Sequence, residues 1–372
     1  MREEGRITAF QVMLYQVTVG LPTIILLVPA IATMRARQDV WLSGFLACLF
    51  GFAAVFAAAK LALRFPDQTV IQYTPRLLGG FLGKAVGFLY IFSFFFVAYV
   101  TLRQFGELMT LAFFPETPII VFLGILTLLA CYVVYLGLEV LCRLITLWGV
   151  FGVSFFIIVA LFIKDIEISR FLPFLEHGIG PVAAGAIAPG GCCVGAAIIL
   201  MVLPFMSDKH RAVRNSLAAI FILFAFFEMI IVPVVGTMGA ESVSRETFPY
   251  LTLYRRMEIP TMPVLERQDP IIMGIWIGGL LWKVGIFMQA GLMGLGQWLG
   301  LRSYRPLIFP AGALVVALAV QGWESVIDLF ASCGEAIQPF LVFPNFILTA
   351  LLLLVAVVRG VKDKGGRMKD EE

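Results

Sequence analysis

Charge is scarce in this chain. Only 14% of its 372 residues are Asp, Glu, Lys or Arg, and only two are histidine, His177 and His210, in separate polar loops. Two distant histidines offer no metal-ligand spacing, and no CxxC pair stands among the six cysteines, so no metal site is expected. Cys48, Cys131, Cys142, Cys192, Cys193 and Cys333 mostly lie within or beside apolar runs and read as inert buried thiols. A net charge of +3 leaves no basic patch for nucleic acid. The chain also lacks a nucleotide-binding loop and a nucleophile–base pair in a supporting context. That argues against an enzyme and calls for no cofactor.

Apolar surface, in contrast, is abundant. Hydrophobic residues make up 60% of the chain, 34 of them Phe, and the mean hydropathy is +0.97. No soluble core needs that much, so the expected class is an all-α polytopic membrane protein embedded in a lipid bilayer. Runs of about 20 apolar residues predict ten transmembrane helices. They lie near 8–33, 40–63, 82–112, 118–138, 143–164, 182–206, 214–238, 270–298, 306–322 and 336–358. Arg2 and Arg6 before the first run, with Ala30-Ile31-Ala32 near its end, imitate a signal peptide; the run is too long for that and reads as a retained helix. Residues 1–7 and 359–372 read as short solvated tails. The polar stretch 239–269 mixes charges with Phe248, Tyr250, Leu253 and Tyr254, which suits a partly helical loop on the membrane surface.

With the N-terminus inside, 17 Lys and Arg fall on the cytoplasmic side and 8 on the other, so both termini are expected to be cytoplasmic. Five runs precede Asp165–Gly180 and five follow it. An odd number per half forces the halves into opposite orientations, so a repeat at 1–164 and 182–358 within one transmembrane domain would be inverted.

Two runs are interrupted at corresponding places. Val19-Gly20-Leu21-Pro22-Thr23 sits in the first, and Ala188-Pro189-Gly190-Gly191-Cys192-Cys193 in the sixth. Proline removes a donor and glycine tolerates open backbone, so each stretch is a predicted helix break. Broken backbone survives in hydrocarbon only where it lines a protected cavity, and paired breaks point to a central ligand site. The alternative is a pair of ordinary kinks. Together these features resemble the amino acid–polyamine–organocation superfamily, with its LeuT-type fold of five plus five helices and broken first and sixth helices.

Free amides from Gly20 to Thr23, at a half-helix N-terminus, suit a carboxylate, while carbonyls freed at Pro189–Cys193 suit an ammonium. That pairing describes a zwitterionic amino acid, with Tyr99, Cys192 and the Phe287-Met288 region as candidates for an apolar side-chain pocket. Tyr99 enters through the fold resemblance, which implies a third helix facing the breaks and an aromatic capping the ligand.

Charges inside spans are costly and need explanation. Arg103 and Glu107, at i and i+4, form either a local ion pair or part of a polar path beside the site. Glu228 stands alone in its run. Lys283 is either a built-in cation, which the fold resemblance places between the first and eighth helices, or a lysine that snorkels or pairs with Glu107 or Glu228.

Ile7-Thr8-Ala9-Phe10-Gln11, the Gly20/Pro22 stretch, Arg64-Phe65-Pro66, Phe248-Pro249-Tyr250, and Leu265-Glu266-Arg267-Gln268-Asp269 leading to Trp276 and Lys283 resemble one branch of that superfamily. This branch is the B-type subunits of spore germinant receptors, and the resemblance runs over essentially the whole chain. It implies a nutrient sensor of the spore inner membrane that works with A and C subunits. Cys192-Cys193 departs from what is usual at the second break. The competing readings are an amino acid permease working by alternating access, with Glu107 and Lys283 as proton-relay candidates, and a water- or ion-conducting element within the receptor.

Overall fold

A computed structural model describes residues 6–160, 165–192, 195–255 and 269–362. Its helices fall on the apolar runs. The first run holds α1 (Ala9–Leu26) and α2 (Val28–Ala36), followed by α3 (Val40–Arg64), a short α4 (Val70–Leu78), α5 (Gly80–Leu108), α6 (Ile119–Leu136) and α7 (Leu138–Ala160). The second half comprises α8 (Ile179–Gly185), α9 (Ile187–Gly191), α10 (Gly195–Val202), α11 (Ala212–Met238), two short helices α12 (Ala240–Arg245) and α13 (Pro249–Arg255), α14 (Asp269–Trp298) and α15 (Ile308–Gln321). The last run is divided into α16 (Val326–Ser332), α17 (Gln338–Val342) and α18 (Thr349–Val358), with π-helical turns at Cys333–Ile337 and Phe343–Leu348 between them. Among the described residues, seven helices are long and apolar enough to cross a membrane, and two shorter apolar helices accompany them. The protein is an all-helical integral membrane protein.

The central element is α1, buried on every side from Tyr15 to Leu26. A helix apolar all round must be surrounded, and α7, α10, α11 and α14 pack about it. Its start is fixed chemically. Thr8 and Gln11 form a reciprocal capping box, and Asp208 Oδ1 accepts from the Ala9 amide at 2.7 Å. Ile7 pairs with the backbone of Phe205 and Ser207, which ties the N-terminal segment to the far end of the sixth run. Large apolar side chains such as Phe81, Leu128 and Ile327 are left on the outside, where lipid rather than water is their solvent.

The expected break at Gly20–Thr23 is corrected by the structure. The helix runs unbroken through these residues, so the amides of Gly20, Leu21 and Thr23 are spent inside it and offer no anion cradle. Its interruption lies at Leu27. The cause is Pro29, which has no amide to give and crowds the carbonyl four residues back. In the sixth run, Pro189, Gly190 and Gly191 are likewise helical, within α9. The chain bends at Ala186, α9 ends at Gly191 with Cys192 as its cap, and α10 begins at Gly195; Cys193 lies outside the described residues.

The polar stretch after α11 is partly helical, as expected. Instead of lying on the surface, α12 and α13 pack against α2 and α11, and Phe248, Tyr250, Leu251 and Leu253 are buried. The Leu265–Gln268 motif lies outside the described residues.

Candidate functional site

A small cavity lies where α1, α5, α9, α14 and the last run converge. Val19 and Thr23 line it from α1; Val97, Val100, Thr101 and Gln104 from α5; Gly191 and Cys192 from the sixth run; Lys283 from α14; and Ile337, Gln338 and Leu341 from the last run. As it stands the cavity has room for roughly one water molecule.

Its polar groups form a directed chain. Lys283 Nζ donates to Thr23 Oγ1, Thr23 donates to Gln104 Oε1 at 3.4 Å, and Gln104 Nε2 donates to Cys333 Sγ at 3.7 Å. Lys283 is 6% exposed, and no carboxylate among the described residues lies within ion-pairing distance of it. Gln338, 4% exposed, presses its Oε1 onto Gly191 and finds no hydrogen-bond partner there. A Cβ at position 191 would collide with that amide and force it aside.

The sequence candidates divide between this cavity and its surroundings. Val19, Thr23, Gly191, Cys192 and Lys283 meet in it. Gly20 is instead a packing position, where a Cβ would come within 2.8 Å of Leu223 and 3.3 Å of the Cys192 carbonyl. Pro22 faces Gly279 of α14, and Leu21 is buried beside it in α1. Pro189 lines an apolar crevice with Cys48 and Phe227, and Gly190 faces Phe50. Phe287 packs on Phe94 with ring centroids 6.3 Å apart, and Met288 lies near Gly312; both are core.

Tyr99 does not reach the cavity either. It lies against Phe96 and Trp323, with centroids at 5.3 and 5.9 Å. The reason is helical phase. Residues 97, 100/101 and 104 form the stripe facing the cavity, whereas 99, 103 and 107 form a second stripe about 100° away. On that second stripe Arg103 donates to Glu107 Oε1 at 2.7 Å and to the carbonyls of Ala319 and Val320 at 3.0 and 3.1 Å. It thereby caps the C-terminal end of α15, so the pair is the local one and not part of the cavity. Glu228 lies against Gly44 of α3, its Oε1 without a partner, and does not meet Lys283. Sequence reasoning overlooked Gln104 and Gln338. Both are neutral amides deep in apolar helices, and that oddity was the available signal.

Among the described residues no group of His, Cys, Asp and Glu is arranged to hold a metal ion.

The architecture defines a transporter-like membrane protein of LeuT type. The fold is shared with MhsT, solved in complex with L-phenylalanine, at a TM-score of 0.64 and 14% identity, covering 97% of this chain and 91% of that one. A substrate-bound, outward-open Na+-coupled sialic acid symporter matches at a TM-score of 0.62 and 13% identity, covering 93% and 80%. The sequence model described as "Spore germination protein" matches residues 6–323, and the chain belongs to that family. Spore germination protein YndE of Bacillus subtilis (strain 168) is 25% identical over 295 residues, 79% of this chain and 81% of the relative. Spore germination protein KB of the same organism is 23% identical over 381 residues, 99% and 100% of the two chains. This is a family of transporter-like membrane proteins and not of enzymes.

Proposed function

We propose that the chain is the nutrient-sensing subunit of a spore germinant receptor, and that the cavity between α1, α5, α9, α14 and the last run receives a small ligand, an L-amino acid. The observation that carries this reading is the cluster of buried polar groups around Lys283 in the middle of an apolar bundle, which packing alone does not require. That a protein of this fold was solved with L-phenylalanine supports an amino acid. In this reading the chain crosses the membrane ten times as two inverted five-helix halves, with both termini cytoplasmic, in the spore inner membrane. Occupancy favours one arrangement of the bundle over another to the extent that the ligand binds the two differently, and A and C subunits read the change.

The likeness to a symporter favours one second reading, an amino acid permease. Uptake of labelled amino acid by the isolated chain in liposomes decides for it; absence of uptake alongside binding decides for the sensor.

Binding itself is tested by thermal stabilisation of the purified chain against neutral L-amino acids, nucleosides and sugars. A compound at 100 times its dissociation constant adds about 2.7 kcal/mol. The expected outcome is a response to amino acids that disappears in Gly191→Leu, whose side chain fills the cavity. A response that survives the substitution moves the site elsewhere.

A further inference from the structure

We infer that Lys283 is the counter-ion for the carboxylate of a zwitterionic amino acid, and that Gln338 occupies the place of its ammonium until it arrives. The inference rests on the proposed reading of the cavity as a ligand site and names the chemistry of its two poles.

The first ground is the isolation of Lys283. It stands 14 residues from the start of α14 and 15 from its end, with about 20 Å of helix on either side. A lysine side chain cannot snorkel that far. Among the described residues its hydrogen-bond partner is the Thr23 hydroxyl, which is neutral. A buried ammonium needs an opposite charge, and the open space beside it is the cavity. The backbone of α1 cannot take over the anion, since its amides from Gly20 to Thr23 are committed within the helix.

The second ground is independent. Gln338 Oε1 is a buried acceptor with no donor, lodged against Gly191 on the same cavity wall. Buried acceptors are almost always paired, so a lone one facing a site marks where a donor belongs. Among the described residues, a cation with no carboxylate and an acceptor with no donor line one cavity, and together they fit a carboxylate and an ammonium on one small molecule. The ligand's carboxylate gives Lys283 the opposite charge that it otherwise lacks. Entry requires the Gln338 amide to swing off Gly191, because the cavity as it stands has no room for both. The helix that bears it is irregular on each side, with a π turn ending at Ile337 and another beginning at Phe343, a form of local irregularity that recurs at functional sites.

The test uses the full chain in nanodiscs with neutral L-amino acids, each beside its C-terminal amide, its decarboxylated amine and its des-amino acid, and sodium chloride as a separate titrant. Wild type should be stabilised by the amino acid and not by its amide or amine. Lys283→Met should lose at least about thirtyfold in affinity for the amino acid. Without any added compound it should melt no lower than wild type, since an uncompensated charge has been removed. Gln338→Met should weaken the amino acid and leave the des-amino acid unaffected. Equal responses to acid and amide overturn the Lys283 assignment while leaving the site standing. A compound-free Lys283→Met that melts lower than wild type overturns it too, because the lysine is then structural. Stabilisation by chloride alone makes the partner an inorganic anion and overturns the zwitterion. No response to any compound overturns both this inference and the nutrient reading beneath it.

Discussion

Arg103 shows how a charge inside a membrane helix can be structural. It bonds Glu107 on its own helix and two carbonyls at the end of α15, so every strong demand of the guanidinium is met inside the protein. Arg103→Met leaves Glu107 buried without its cation and α15 without its cap. The expected loss is about 3–5 kcal/mol of stability, read as a lower melting temperature in detergent. Adding Glu107→Gln to that variant should recover much of the loss, because the stranded charge goes. Lys283 contrasts with it on each point, having no carboxylate and a cavity at its side. The difference was not legible from residue type, since both are single cations in apolar runs. It was legible only from phase, which places 103 and 107 on one stripe of α5 and 104 on another. Neutral amides carry no charge to draw notice, and so Gln104 and Gln338 went unread although both line the cavity.

Among the elements, most apolar runs were readable to within a few residues, because hydrocarbon imposes both length and composition; the last run is the exception, its helix starting at Val326 and not at the expected 336. The interruptions were harder. Pro22 sits in a helix that tolerates the missing donor, while Pro29 coincides with the actual break at Leu27. Sequence cannot tell which proline bends a helix when the neighbours' packing decides it. Packing between α4 and α5 is unusually close. A Cβ on Gly83 would meet the backbone of Thr74 and Pro75, where no side chain can turn aside. Gly83→Ala must therefore push the two helices apart. It should cost about 1–3 kcal/mol, whereas Gly124→Ala, in open space on α6, should cost close to nothing; thermal melts of the two variants check the contrast.

At the scale of the whole molecule, contacts between distant segments sort the loops into two groups. Ile7 pairs with Phe205 and Ser207, Asp67 with Lys209 at 2.8 Å, and Arg64 with the Val361 carbonyl, all at one end of the bundle. Arg37 meets His177 at 2.8 Å, Asp39 accepts from the Leu175 amide at 3.0 Å, and Glu167 meets the Gly236 carbonyl at the other. The first group should be cytoplasmic. Cysteines introduced at Asp67 and Ser303 should resist an impermeant thiol reagent in intact cells, while those at Glu116 and Glu176 should react. The five described native cysteines are buried and should stay silent. The reverse pattern would invert the orientation. The expected sidedness comes from arginine and lysine positions, whereas the clasp between the N-terminal segment and the sixth run was not legible, because a two-residue backbone pairing leaves no pattern in composition.

Each π turn of the last run winds one surplus residue into its helix. Such a surplus can migrate as its hydrogen bonds change partners one at a time, and each residue of travel turns the stretch it passes by about 100°. The short span from Gln338 to Val342 lies between two of these turns. Migration of either turn would swivel that span about its own axis while Val326 and Val358 stayed in place, like a ratchet wheel held between fixed bearings. On the proposed reading, an amino acid would then not need to pry the bundle open to be felt outside it. Turning that one wheel by a notch repositions every side chain it bears.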